Sequence, residues 1–447
     1  MAGTRRRRRS TATAPGAEFG VVTGLDVADR IRRQPVHLGR KRRLVGAAGA
    51  IVVSVKLAIV GGGIGGLSAA LALTHHGVEV TVLEQADAVS AVGASLQLGP
   101  NATRLLDALG ELPRLRAVAS RPDAVELLRW NDGSVLLRSE HGDAAERYFG
   151  APQLDFFRPD LQRALVDALP AGVLRLGRRV AGVEELRDQV EVVLAGGERM
   201  RVDGVVAADG IRSPIRQQLA GVEEPMFSGT VVYRGTISRA AAEDLHPDRV
   251  NRYWLGPARH GVSYWMGGGR LLALNLAVQN ADWGEESWTL ETSAEEALPY
   301  IDGWDESLRE RTRRCGTVLR GGVFVRKPLP HWSFGRVTLL GDAAHAMEPF
   351  QAQGAAQAIE DAFVLGECVG QIGDDLAAAF ERYERIRMSR AVALQNGSRN
   401  VGADFYLPDG PEQVSRDARL AVLSETQRWG TRQPIWEYDV RTDLELV

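Results

Sequence analysis

Cysteine is scarce in this 447-residue chain, which has two, Cys315 and Cys368. Two cysteines cannot make a disulfide framework or a cysteine-rich metal centre, and they fit a reducing cytoplasm. Long apolar runs are missing as well. The stretch Leu44–Val53 falls far short of the roughly 20 residues that span a bilayer, so no membrane association is expected. Neither sign of charge dominates, with a net of −3, but the distribution is uneven. Residues 1–54 hold twelve basic and three acidic residues, a net of +9, which leaves −12 on the rest. An acidic body argues against general nucleic-acid affinity. There is no HExxH, no Walker A loop, no Ser/His/Asp pattern and no tandem repeat, which removes zinc proteases, P-loop enzymes and common hydrolases. With 45% hydrophobic and 25% charged residues, the chain has the composition of an ordinary globular protein of two or three domains.

The first 54 residues are expected to form a disordered basic extension. Arg5–Arg9 is followed by Ala, Gly and Thr with little periodicity, and no apolar segment follows the arginines directly, as a twin-arginine signal would need. A mis-assigned start is the other reading. A core strand begins at Val55, and valine codons include an alternative bacterial start.

Glycine is abundant, 49 of 447, against roughly 7% in average chains. The β-rich run Val55–Val60 leads into Gly61-Gly62-Gly63-Ile64-Gly65-Gly66. A helical segment, a second strand Val78–Leu83 and Glu84 follow. This is the dinucleotide fingerprint. Gly61 permits the tight turn, Gly63 admits a pyrophosphate and Gly66 lets helix and strand pack closely. The helix N-terminus favours phosphate, and Glu84 can accept hydrogen bonds from ribose hydroxyls. The fingerprint alone leaves FAD and NAD open. Two further strands end in acids: Val202–Asp209, followed by Gly210, and Val337–Leu340, followed by Gly341-Asp342. In an open α/β sheet, ligands bind at that edge. A long helix follows from near Gly354 and Ala355, and its N–H groups could face an anionic ring edge.

With these motifs, residues 55 to about 400 resemble the group A flavoprotein monooxygenases, which hydroxylate aromatic rings. Arg158-Pro159-Asp160-Leu161 is similar to that family's Arg-x-Asp-Leu, whose arginine contacts the cofactor. Ala94–Asn101 and Gly256–His260 with Tyr264 resemble the branch holding salicylate hydroxylase, 3-hydroxybenzoate 6-hydroxylase and 6-hydroxynicotinate 3-monooxygenase. The chain departs from that branch at Gln97, where the hydroxynicotinate enzyme has a histidine. It departs also at Pro349, where the hydroxybenzoate enzyme has a glutamine, and at Trp265, where proline is usual. The resemblance implies noncovalent FAD, NADH or NADPH as a transient co-substrate, O2, and hydroxylation of an activated ring through a flavin C4a-hydroperoxide.

The fold expected is α/β. A Rossmann-like, glutathione-reductase-type FAD domain is built from 55–121, 151–225 and 320–372. An inserted antiparallel-sheet substrate domain comprises 122–150 and 226–319, and C-terminal helices occupy 373–447. On one strand, His260, Val262, Tyr264 and Met266 share a face. Residues alone leave His260 open between a satisfied strand histidine and a substrate site; the resemblance implies that His260 and Tyr264 bind or deprotonate a small aromatic substrate. A base there would need a pKa near the working pH. Pro349 is expected to turn its carbonyl toward flavin and ring. His345 reads as part of the cofactor turn's structure. A monomer or homodimer is expected. Competing readings are a tailoring hydroxylase of a polycyclic product, a flavoprotein reductase or dehydrogenase, and a binding protein without FAD.

Overall fold

The computed structural model describes residues 55–89, 94–279, 283, 290–423 and 427–446. The expectation for residues 1–54 lies outside them. The first strand, Lys56–Val60, is apolar on both faces, as a central parallel strand must be. It lies in a six-stranded sheet between Gly204–Ala207 and Glu79–Leu83. Val337–Leu339 and Leu174–Arg175 extend the sheet on either side in parallel. Ser333–Phe334 closes one edge antiparallel. The helices Ile64–His75 and Gly354–Ile372 belong to the same hydrophobic core, with Leu67, Leu73, Ile359 and Leu365 almost wholly buried.

The second sheet has eight strands, in the order Leu290–Thr292, Val318–Val325, Met226–Ser238, Leu271–Gln279, Arg259–Met266, Val250–Gly256, Ala124–Arg129 and Val135–Glu140. Trp254, Trp265 and Leu272 pack on its outer face in one cluster with Leu308 of the helix Glu306–Arg313. Val125, Tyr253, Leu255, Val262, Tyr264 and Met266 form a separate cluster on the inner face.

Several sequence expectations need correction. The inserted sheet is not wholly antiparallel: Val250–Gly256 runs parallel to Ala124–Arg129. The chain crosses the nucleotide domain between these two strands, so no hairpin forces them antiparallel. The break expected at 320 falls inside Val318–Val325, which pairs with Met226–Ser238 and so belongs to the eight-stranded sheet. The strand expected over Val202–Asp209 is two strands, Arg199–Val202 and Gly204–Ala207. They diverge at Asp203, whose carboxylate accepts from the Lys56 amide at 2.8 Å.

The first of the C-terminal helices runs from Leu376 to Phe405. It passes Gly402, where the Phe350 ring lies 3.0 Å from where a Cβ would stand. The next helix spans Pro411–Ala421. A short helix, Gln433–Glu437, then seats Trp436 beside Gly99. Arg104 fastens this last segment. Its guanidinium donates to the carbonyls of Phe149, Trp436, Glu437 and Tyr438 at 2.8–3.3 Å.

Candidate active site

The glycine loop is shaped by sterics. Gly61 has φ +106°, and a Cβ there would stand 2.3 Å from the Ala208 carbonyl oxygen. A Cβ on Gly66 would stand 2.0 Å from the Gly61 oxygen. Only glycine fits either position. Gly63 differs: it caps the helix Ile64–His75 with ordinary extended backbone, and a Cβ would meet nothing within 4 Å. That open space faces the free N–H groups of a helix N-terminus, a natural place for phosphate. Glu84 lies across the loop, with Oε2 accepting from the Gly62 amide at 2.6 Å and Oε1 from the Ala86 amide at 2.8 Å. Gln162, which the sequence reading missed, donates to the Gly62 carbonyl at 2.7 Å.

Asp209 follows the strand Gly204–Ala207, and Gly210 turns the chain with φ +80°. Neither Asp209 oxygen completes a hydrogen bond, although both are buried. Burial raises the carboxyl to about 6, only partly offset by Ser213 and the Asp209 and Ile215 amides. An unanswered buried carboxylate beside an open phosphate cradle is what a site for a hydroxyl-bearing dinucleotide provides. Asp342 opens the short helix Asp342–His345 with its side chain exposed. Its Oδ1 is 3.9 Å from where a Cβ on Gly354 would stand. Gly354 and Ala355 begin the helix Gly354–Ile372. Pro349 is exposed at the start of a single turn, Pro349–Gln351, and Ala352 after it has φ +53°. A left-handed alanine is uncommon. Arg158 is exposed at the start of Arg158–Ala168, and its amide donates to the Ala94 carbonyl at 3.1 Å.

Buried charge holds the Asp342 turn in place. Asp361 accepts from the Gly341 amide at 3.1 Å, His345 Nε2 at 2.6 Å and Arg387 Nε at 2.8 Å. Glu360 accepts from Asn101, Gln357, Arg387 and Arg390. Burial alone would raise both acids, but His345 and Arg387 outweigh it at Asp361, as Arg387 and Arg390 do at Glu360, and both pKa values are lowered. His345 is thus part of the turn's scaffold.

On the eight-stranded sheet, His260 is enclosed by Phe350, Phe405 and Tyr406, ring centroids 5.4–5.6 Å away. Its Nδ1 has no partner. Burial lowers its pKa to about 4. The expected pKa near the working pH is therefore corrected: the ring is neutral at pH 7 because apolar neighbours penalise the cation. Tyr264, four residues along the strand on the same face, is held protonated, chiefly by burial. The group near 7 is one the sequence reading missed. Asp155 is fully enclosed and raised to about 7 by burial, against the opposing effect of Asn251 and Gln153. Their amides donate to it at 2.7 and 3.2 Å. Its one signal was an acid inside the apolar run Leu154–Phe157.

The structure brings Pro349's turn to His260, through Phe350, and sets Gly61 against Asp209. A narrow cleft lies between Gln97 and Gly99 on one side and Gln351, Ala352 and Gln353 on the other. A larger cavity of about 170 Å³ opens along the inner sheet face at Val125, Leu127 and Leu255 and reaches Phe405. The glycine loop, Glu84, Asp209 and Asp342 fit FAD. Among the described residues no helix is long and apolar enough to cross a membrane, and no group of three or more His, Cys, Asp or Glu could hold a metal ion.

Comparison with known proteins agrees with this geometry. Residues 54–397 match the family model described as "FAD binding domain". A 3-amino-4-hydroxybenzoate 2-monooxygenase of Streptomyces platensis is 38% identical over 365 residues, 82% of this chain and 92% of that protein. A 3-hydroxybenzoate 6-hydroxylase of Klebsiella oxytoca is 34% identical over 394 residues, covering 86% and 96%. A substrate complex of salicylate hydroxylase superposes with a TM-score of 0.74 at 28% identity, covering 88% of this chain and 98% of that one. A parallel sheet whose strands end at the glycine loop, Asp209 and Asp342, a second sheet carrying His260 and Tyr264, and kinship over most of the chain lead to one assignment: this protein belongs to the FAD-binding family of aromatic monooxygenases.

Proposed function

We propose that the chain hydroxylates a small activated aromatic ring of the phenol, hydroxybenzoate or hydroxypyridine type, with NADH or NADPH as reductant. One observation carries the proposal: a neutral His260 whose buried Nδ1 has no partner sits within an aromatic enclosure on the sheet face that also carries Tyr264. The relatives' names support it, since aminohydroxybenzoate and hydroxybenzoate are both rings activated by hydroxyl or amino groups. Bound FAD supplies the reduction of O2 and the delivery of one oxygen atom to the ring.

The chain's own residues do the rest. His260 Nδ1 accepts a hydrogen bond from the ring hydroxyl and takes its proton as negative charge develops on the substrate oxygen. Charge beside the imidazole raises its proton affinity from the low value of the empty enclosure. Tyr264, held protonated, donates. Phe350, Phe405 and Tyr406 exclude water, which protects the oxygen-transfer step from loss as peroxide. Overall, a ring C–H becomes C–OH while NAD(P)H, a proton and O2 give NAD(P)⁺ and water.

The test is a panel of aminohydroxybenzoates, hydroxybenzoates, hydroxypyridines and polycyclic phenols with the purified yellow protein. At least one single-ring compound should stimulate NAD(P)H oxidation and gain one oxygen atom. If every compound leaves all consumed oxygen as peroxide, the protein is not a hydroxylase of these rings.

A further inference from the structure

Three arginines line the larger cavity, and their charges are answered differently. Arg416 is 4% exposed and binds the Asp417 carboxylate at 2.8 and 3.0 Å, as well as the Asp404 carbonyl. Arg419 is mostly exposed and lies 3.7 Å from Asp404. Arg432 is half-buried, and among the described residues no carboxylate comes within ion-pair distance of it. Its guanidinium lies 5.1 Å from the Tyr253 ring and 5.9 Å from the Trp436 ring, and it donates to the Tyr253 hydroxyl at 2.9 Å. Those contacts use one N–H and the two π faces. They orient a planar fork with five donors and leave most of its donors unused.

Arg432 is also shared by two spaces. It lines the narrow cleft beside Gln97 and Gln353, and it lines the larger cavity that reaches Phe405, which touches His260. Tyr253 links it to the same sheet face: the Tyr253 hydroxyl donates to Gln97 at 2.8 Å, and Leu255, two residues along, pairs with His260. A half-buried guanidinium set beside two rings, with no carboxylate in ion-pair distance among the described residues, is a ready partner for an anionic ligand.

We infer that Arg432 is a specificity-determining residue that binds the carboxylate of an aromatic acid substrate while His260 engages the ring hydroxyl. This rests on the proposed hydroxylation and narrows it to acids. The neighbouring His141, whose ring lies 5.6 Å from Trp436, adds no competing cation, since burial keeps it neutral.

The experiment uses FAD-loaded full-length protein and follows the change in flavin absorbance as ligand is added. The probes are 4-hydroxybenzoate, 3-hydroxybenzoate and 3-amino-4-hydroxybenzoate, each paired with its neutral carboxamide. Wild type should prefer at least one acid over its amide. Arg432→Met should weaken that acid by roughly tenfold to a hundredfold, the range for a hydrogen bond to a charged group, and leave the amide within about twofold. Arg432→Lys should recover part of the loss. FAD content and melting temperature, read on the same samples, show whether the variants are folded. Equal weakening of acid and amide in a folded Arg432→Met protein overturns the assignment. So does a wild type that hydroxylates neutral phenols without preferring acids, although hydroxylation itself then stands. A wild type that oxidises NAD(P)H with no ring compound overturns both.

Discussion

Two buried polar regions lie on either side of the proposed ring position. Beneath the Gly341–His345 turn, Arg387 is fully enclosed, and each of its nitrogens donates to Asp361, Glu360 or Gln357 at 2.7–2.8 Å. On the side facing the clefts, His260 Nδ1, Gln97 Nε2 and both oxygens of Asp209 are buried without a partner. Both regions bear the cost of taking polar groups out of water. At the first, every charged group is paired within the chain, and only His345 Nδ1 and Asn101 Oδ1 are left over. The difference separates scaffold from site: paired charges fix the backbone, and an unpaired carboxylate and imidazole are open to something else.

That contrast can be broken by experiment. The largest effect should come from Arg387→Met, which leaves Glu360 and Asp361 buried without a main counterion. A loss of about 3–5 kcal/mol in urea unfolding is expected, with FAD released as the Asp342 turn loosens. A stable, FAD-retaining variant would show that the network is not the scaffold claimed here. Next is His260→Gln, which removes an imidazole that nothing in the chain needs. Hydroxylation should fall about 100-fold, the low end for a proton-transfer group, while FAD content and melting temperature hold. Loss of flavin instead would place His260 with the scaffold.

Acid sensitivity gives a smaller effect. Burial lowers His260 to about 4, and burial likewise lowers His141 and His246 to about 3. The unfolded chain takes up these protons near pH 6.5 and the folded chain does not, so stability falls as pH drops from 6.5 toward 4. Asp155 at about 7 and Asp209 at about 6 act in the opposite sense, since the fold keeps their protons to higher pH. His260→Gln should flatten the acid limb by one proton, about 1.4 kcal/mol per pH unit. An unchanged slope in urea titrations between pH 4.5 and 6 would mean the ring is solvated. The smallest effect is at Gly63→Ala. The backbone there suits alanine and no atom of the chain is displaced, so the FAD-free protein should gain about 0.4–1 kcal/mol. FAD binding should weaken nonetheless, because the methyl group fills the phosphate cradle. If FAD affinity is unaltered, the open space is not where the cofactor passes.

The same contrast explains what the sequence disclosed. The glycine loop, Glu84, Asp209-Gly210 and Gly341-Asp342 are legible because backbone geometry demands particular residue types at short, fixed spacings. At Gly61 even a methyl group collides with Ala208. The sheet face with His260 and Tyr264 follows from strand alternation. Asp155, Arg387 and Arg432 were missed because their roles depend on partners 26 to 179 positions away in the chain. His260's low proton affinity was hidden for the same reason: Phe350, Phe405 and Tyr406 reach it from distant segments. The helix through Phe405 carries two glycines, Gly397 and Gly402, which look like breaks in a sequence. They are instead small residues that let Gln351 and Phe350 lie against the helix.

Arg104 grips Trp436, Glu437 and Tyr438 through their carbonyl oxygens, and carbonyls are the same whatever side chain follows. The strap that carries Arg432 is thus anchored through its backbone and through the buried Ile435 and Trp436, not through Arg432. Evolution can exchange the selecting side chain and keep its pose, so preference for one ring over another could drift here by single steps while the oxygen chemistry stays untouched.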